Sequence, residues 1–153
     1  MEKISAFFQS TILASTAIVI MNVIGSYVSA IGAGMACPDW PLCPFPDSFP
    51  VLMEFLHRVW GVFVVLTILL TVIRARRLEP LRGLKVVKAL AQLSLLVVMI
   101  QVAMGAIVVF TVLRPEFVAL HQLLAQITLA FQAVAAGLSW AEIAREAGAE
   151  KSS

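Results

Sequence analysis

The stretch PVLMEFLHRVWGVFVVLTILLTVI, residues 50–73, decides the fold. As a helix it is long enough to cross a hydrocarbon core of about 30 Å. Three further apolar stretches of similar length lie at about 11–33, 86–112 and 116–140. The 153 residues are 61% hydrophobic and 13% charged, a composition that excludes a water-soluble domain of this size. We therefore predict an all-α integral membrane protein with four transmembrane helices in a single domain, residues 1–153.

The links between the four spans are short, which favours an up-down-up-down four-helix bundle. Basic residues orient this bundle, because nine of them fall on the side that holds both termini: Lys3, Arg74, Arg76, Arg77, Arg82, Lys85, Lys88, Arg145 and Lys151. Only Arg58 and Arg114 lie towards the other side. The positive-inside rule then places both termini and the middle loop in the cytoplasm. We expect the protein to be a multi-pass protein of a prokaryotic plasma membrane.

The net charge of +2 comes from those inner residues and indicates contact with anionic lipid headgroups rather than with nucleic acid. The first apolar stretch is too long for the core of a cleavable signal peptide. We therefore expect it to remain in the mature protein as the first membrane span.

Two cysteines, Cys37 and Cys43, fall in the predicted outer loop between the first two spans. Disulfides persist on that side of the membrane. Prolines at positions 38, 41 and 44 restrict the loop. A small cap closed by a disulfide is the favoured interpretation, and two free thiols are the alternative.

Beyond their first turns, the predicted spans contain four acidic, basic or histidine residues, namely Glu54, His57, Arg58 and His121. Such residues are costly in lipid and usually functional. Each histidine lies six or seven residues past the start of its helix, which places both at a depth of roughly 10 Å. Two histidines at one depth on different helices can face each other and bind a heme iron axially. Taken singly, each could instead be a hydrogen-bonding or proton-relay residue.

The neighbours of the histidines agree with a heme site. Ala125 follows His121 by one turn on the same helix face and leaves room for a porphyrin. Glu54 lies one turn outside His57 on the same face, where it would meet the edge of the macrocycle.

Arg58 and Arg114 are the cations on the outer side, and a guanidinium is well suited to pair with a heme propionate. For Arg58, a salt bridge to Glu54 or to Asp47 is the alternative. In the first span, small and weakly polar residues recur at Asn22, Gly25, Ser26, Ser29 and Gly32. A stripe of this kind allows close approach of a neighbouring helix or of a flat ligand.

Four strings resemble the heme A synthase family: CPDWPLC at 37–43, EFLHRVWG at 54–61, QVAMGA at 101–106 and HQLLA at 121–125. The resemblance implies an oxidoreductase that converts the C8 methyl group of heme O into the formyl group of heme A by two hydroxylations and loss of water. It also implies that His57 and His121 are axial ligands of a heme (heme b, heme O or heme A), that Glu54 is catalytic at the reacting edge, and that the cysteines form a disulfide. Heme O synthase and the assembly of terminal oxidases are the partners implied.

Three features depart from the family pattern. Pro44 follows Cys43 where the family commonly has a small residue, and Ser29 stands where many members have arginine. Typical members have eight helices in two related halves, whereas this sequence predicts four. We therefore expect a homo-oligomer that supplies the second half.

Two other functions remain open from the sequence. A bis-histidine membrane cytochrome b for electron transfer would need neither Glu54 nor the cysteine loop. A quinone-linked disulfide oxidase also has four helices and outer cysteines, but it uses more than one reactive cysteine pair, and this chain has two cysteines in all.

Overall fold

The computed structural model describes residues 2–43, 45–78 and 82–152. Over these residues the chain forms four α-helices: α1 (Glu2–Ala30), α2 (Phe49–Arg76), α3 (Arg82–Phe110) and α4 (Pro115–Ser152). A single 3-10 turn, Ala33–Met35, follows α1, and the described residues contain no strand. All four helices are long and apolar enough to cross a membrane. The predicted all-α membrane fold is therefore confirmed.

All four helices extend beyond the predicted spans, and two of them, α1 and α4, do so by more than two turns. The first begins at Glu2 rather than near residue 11, and the last continues to Ser152 rather than ending near Trp140. The extension of α4 is rich in alanine and glutamate, which favour helix. In it Arg145 Nε donates to Glu142 Oε2 at 3.0 Å, one turn away on the same face.

The bundle is held together by apolar side chains at its centre. Helix α1 packs on α2 and α4, and α3 packs on α4 and α2. Two buried clusters fill the space between them, one around Phe7 and Val87, the other around Ile18 and Ile68. Large apolar side chains also cover the outside of every helix, as expected where lipid is the solvent.

Contacts distant in sequence identify which helix ends lie together. Arg74 Nη1 donates to the carbonyl of Ala6 at 2.6 Å, so the end of α2 lies beside the start of α1. The ring centroids of Phe8 and Trp140 lie 5.6 Å apart, which brings the part of α4 around Trp140 to the same place. The cytoplasmic location of this end stays a prediction.

At the opposite end, which we call the cysteine-loop end, the α1–α2 loop touches the link between α3 and α4. A Cβ atom added at Gly34 would lie 3.1 Å from Leu113 Cδ2, so the two segments are in close contact. Val112 and Leu113 in that link adopt left-handed φ angles of 54° and 57°. The functional residues predicted above lie at or near this end.

Candidate functional site

His57 and His121 line one open cleft in the bundle. The cleft encloses about 240 Å³ of space free of atoms, part of it open to the outside. All four helices contribute to its walls, through Met21, Asn22, Gly25, His57, Gln101, His121, Gln122 and Ala125. The structure thus brings together the two histidines that sequence analysis singled out, and it places Gly25 and Ala125 beside them.

Helix α3 fixes the ring of His121. His121 Nδ1 lies 3.1 Å from the carbonyl oxygen of Gln101. When Nδ1 carries the proton it donates to that carbonyl, and Nε2 keeps the lone pair that a metal needs. A Cβ atom at Gly105 would lie 3.4 Å from His121 Cε1, so the glycine leaves just enough space for the ring. The carbonyl and the glycine come from the QVAMGA string.

The ring of His57 packs on α1 in the same way but lacks the hydrogen bond. A Cβ atom at Gly25 would lie only 2.9 Å from His57 Cε1. His57 Nδ1 is buried, and no described residue forms a hydrogen bond with it. A buried polar atom without a partner is costly. The site therefore holds one imidazole that is already oriented and one whose Nδ1 has no hydrogen-bond partner among the described residues.

These residues fit a heme. Axial ligation requires two side chains, because the porphyrin supplies the other ligands of the iron. Among the described residues, no group of three or more His, Cys, Asp and Glu side chains could hold a bare metal ion. Two imidazoles from α2 and α4, with a glycine and an alanine beside them, match the requirements of a flat macrocycle better than those of an isolated ion.

A buried ion pair lies one turn from His57. Glu54 is 5% exposed, and its Oε1 accepts a hydrogen bond from Arg58 Nε at 3.0 Å. Of the two salt bridges considered for Arg58, the structure contains the one to Glu54. Neither residue is among those that line the cleft.

The other nitrogens of Arg58 face the cysteine loop. Nη2 donates to the carbonyl of Cys37 at 2.7 Å, and Nη1 donates to the carbonyl of Leu42 at 2.8 Å and to that of Asp39. Contact of Arg58 with heme propionates stays a prediction, and it would require the guanidinium to leave these partners.

Arg114 lies apart from the cleft, at the start of α4. It is exposed, pairs with Glu116, and has its guanidinium carbon 5.7 Å from the ring centroid of Phe117. An exposed pair of this kind stabilises a protein little. The role predicted for Arg114 at heme propionates stays a prediction.

The predicted disulfide between Cys37 and Cys43 is confirmed. Cys37 is fully buried, and the loop between the cysteines contains a cis peptide bond before Pro41. Pro44, the first departure from the family pattern, lies outside the described residues. Ser29, the second, is exposed on α1.

Comparison with known proteins identifies the family. The family model described as COX15-CtaA, cytochrome oxidase assembly protein, matches residues 46–133, more than half of the chain. The chain belongs to this family. The predicted resemblance is confirmed, and the matched region contains Glu54, both histidines and Gln101.

Several curated relatives that match this chain are named heme A synthase. That of Symbiobacterium thermophilum is 38% identical over 88 residues, which is 55% of this chain and 28% of the relative. That of Geobacillus thermodenitrificans is 33% identical over 94 residues, 59% and 29% of the two chains. That of Bacillus pumilus is 27% identical over 117 residues, 72% and 38%. The chain thus aligns with about a third of each relative's length, and no solved structure matches it.

The sequence analysis did not single out one of the residues that line the cleft. Met21 lines the cleft, and its Cε lies 3.3 Å from the position of a Cβ atom at Gly61. It precedes Gly25 by four positions, just as Gln101 precedes Gly105. This shared spacing could have indicated that Met21 lies at the site. Methionine is common in apolar helices, however, so its presence alone does not indicate a functional residue.

Proposed function

We propose that this chain acts in heme A biosynthesis as a heme A synthase, which oxidises the C8 methyl group of heme O to the formyl group of heme A. The observation that carries the proposal is the cleft that His57 and His121 line from opposite helix pairs, with the buried Glu54 one turn from His57. The names of the curated relatives support the same activity.

In this proposal the two histidines bind the iron, one from α2 and one from α4. Gln101 holds His121 in the tautomer that leaves Nε2 free, so this ligand is oriented before the heme arrives. His57 gains a partner for its imidazole on binding. When bound, the heme supplies the iron and the methyl group to be oxidised.

Glu54 is the proposed catalytic residue. With water as the oxygen source, conversion of a methyl group to an aldehyde gives up four electrons, to an electron acceptor outside this chain, and four protons. A carboxylate held near the reacting edge can accept these protons. Burial keeps water away from Glu54, and its Oε1 is held by Arg58 at 3.0 Å. The carboxylate can also stabilise positive charge that develops at the porphyrin edge.

The test is the product formed in a cell. The chain is expressed in a host that makes heme O and lacks heme A, and the extracted hemes are analysed by mass. Appearance of the formyl product supports the proposal. Bound heme with no formyl product, in a protein that is folded and in the membrane, would instead indicate an electron-transferring cytochrome b.

We further propose that the protein lies in the plasma membrane with both termini in the cytoplasm, as the distribution of basic residues predicts. Heme O would then reach the cleft through the lipid. Heme O synthase and the terminal oxidase assembly are the partners expected from this activity.

A further inference from the structure

The cysteine loop forms a closed ring around a cation. The backbone from Cys37 to Cys43 is joined at its ends by the disulfide. Four carbonyl oxygens of this ring point at one guanidinium, that of Arg58. The acceptors are Cys37 at 2.7 Å, Leu42 at 2.8 Å, Pro41 at 3.5 Å, and Asp39.

These acceptors come from both ends of the ring. Cys37 is its first residue, and Leu42 immediately precedes its last. The disulfide keeps the two carbonyls together, so the ring is organised for the guanidinium in advance and loses little entropy when it binds. An arginine suits such a ring, since its planar fork presents several N–H groups in fixed directions, whereas lysine offers one compact charge.

The same guanidinium reaches Glu54 through its remaining nitrogen, with Nε 3.0 Å from Oε1. Both side chains are largely buried, at 14% exposure for Arg58 and 7% for Glu54. A buried carboxylate of this kind depends strongly on its partner, because water cannot replace a lost hydrogen bond. The position of Glu54 is therefore tied, through Arg58, to the ring.

We propose that the disulfide ring at 37–43 is an intramolecular receptor for the Arg58 guanidinium, and that Arg58 is a positioning residue that holds Glu54 in place only while the ring is closed. The part of this inference that concerns Glu54 in catalysis rests on the proposed function. The coupling between the ring and Arg58 does not rest on the proposed function, because it is inferred from the hydrogen bonds alone.

Coupling between two events is reciprocal. If the closed ring stabilises the placement of Arg58, then Arg58 stabilises the closed ring by the same amount. Reduction by dithiothreitol transfers two electrons and two protons to the bridge, which gives two thiols while the reagent closes to its own disulfide. Removing Arg58 should make this reduction more favourable.

The first experiment measures that equilibrium in the full-length protein in detergent. In Arg58→Gln and Arg58→Lys, the ratio of reduced to oxidised loop at a fixed dithiothreitol ratio should rise about tenfold or more, the scale of losing one hydrogen bond from a charged donor. Arg114→Gln, which removes an exposed cation at the same end, should leave the ratio unchanged. A wild-type ratio in both Arg58 variants would overturn the proposal.

The second experiment needs no variant at position 58 to fold. The infrared carboxylate band of Glu54, assigned by its loss in Glu54→Gln, is followed while the wild-type disulfide is reduced. The band should shift on reduction and return on reoxidation, because the carboxylate loses and regains its partner. A band that stays in place while the loop opens would overturn the positioning role.

Heme conversion by the double variant C37S and C43S separates this inference from the proposed function. If the wild-type protein makes no heme A, the proposed function fails, while the two experiments above still decide the coupling. If the wild type makes heme A, the double variant should convert heme O at least about tenfold more slowly at unchanged heme content. Wild-type conversion by the double variant would overturn the link to Glu54.

Discussion

His57 and His121 have unlike surroundings although they line the same cleft. His121 is oriented by the Gln101 carbonyl, whereas His57 Nδ1 finds no hydrogen-bond partner among the described residues. If both histidines bind a heme as proposed, His121 is oriented before binding, whereas the orientation of His57 is completed by the heme. His57, the histidine without a hydrogen bond at Nδ1, lies on α2, the helix that also carries Glu54.

Replacing either histidine by alanine should abolish the absorption of a low-spin, six-coordinate heme in the purified protein, since each is a proposed axial ligand. The spectrum of Gln126→Ala, altered at an exposed position of α4, should match that of the wild type. If both histidine variants keep the wild-type spectrum, the ligand assignment is wrong.

Glu54→Ala should preserve the fold and the heme spectrum while conversion of heme O to heme A falls by about a hundredfold or more, the usual scale for loss of an acid or base. The rate is measured from the formyl heme extracted per bound heme. Glu142→Ala, which removes a carboxylate that pairs with Arg145 in the last third of α4, far from the cleft, serves as the control. An unchanged rate in Glu54→Ala would make this residue a purely structural partner of Arg58.

At the scale of elements, each histidine packs on a glycine of the preceding helix. His57 of α2 lies on Gly25 of α1, and His121 of α4 lies on Gly105 of α3. In the sequence, the two helix pairs share little beyond a histidine near the start of the second and fourth spans. The structure shows that they also share a contact between that histidine and a glycine of the preceding helix. The sequence hides this likeness because the residues around the two contacts differ in type.

Gly25→Ala should displace His57, since the added methyl would stand 2.9 Å from Cε1 and the ring must move. We expect a changed heme spectrum with reduced low-spin character. Gly137→Ala is the matched control, because nothing lies within 4 Å of a Cβ atom there and alanine favours helix over glycine. Identical spectra for the two variants would argue against tight packing of His57 on α1.

At the scale of the whole molecule, the four spans were predictable because lipid requires long apolar helices, and each span satisfies that requirement separately. The helix ends were not predictable, since the apolar stretch ends at the membrane surface while the helix continues beyond it. Helix α4 continues through Glu142 and Arg145, where alanine-rich sequence replaces hydrophobicity as the cause of helix.

The histidines, Glu54 and the disulfide were singled out from residue type and position, because ionisable groups and cysteines are rare in this chain. The ring of carbonyls around Arg58 could not be predicted from the sequence, since every residue carries a backbone carbonyl. A sequence shows which residue donates but not which carbonyls converge on it. For the same reason, Gln101 was recognised through a motif, although its main chain makes the contact.

The expected homo-oligomer is a property of the whole molecule. The helices bear large apolar side chains on the outside, and the exposed Ser26 and Ser29 of α1 would allow close approach of another helix. We expect a symmetric assembly, a dimer or a trimer, when mass is measured in mild detergent at concentrations near those of the membrane. A monomer alone under those conditions would remove this expectation.

The link between α3 and α4 offers a route to a stabler sample for structure determination. Val112 is β-branched and sits at a φ of 54°, a conformation that glycine adopts freely and valine pays for with about 1–3 kcal/mol. Leu113 next to it contacts Gly34, but Val112 is exposed. Val112→Gly should therefore raise the thermal unfolding midpoint in detergent, because the relief at this position exceeds the extra chain entropy that glycine loses. The variant should keep both helices and the cleft and should be more stable during extraction into detergent.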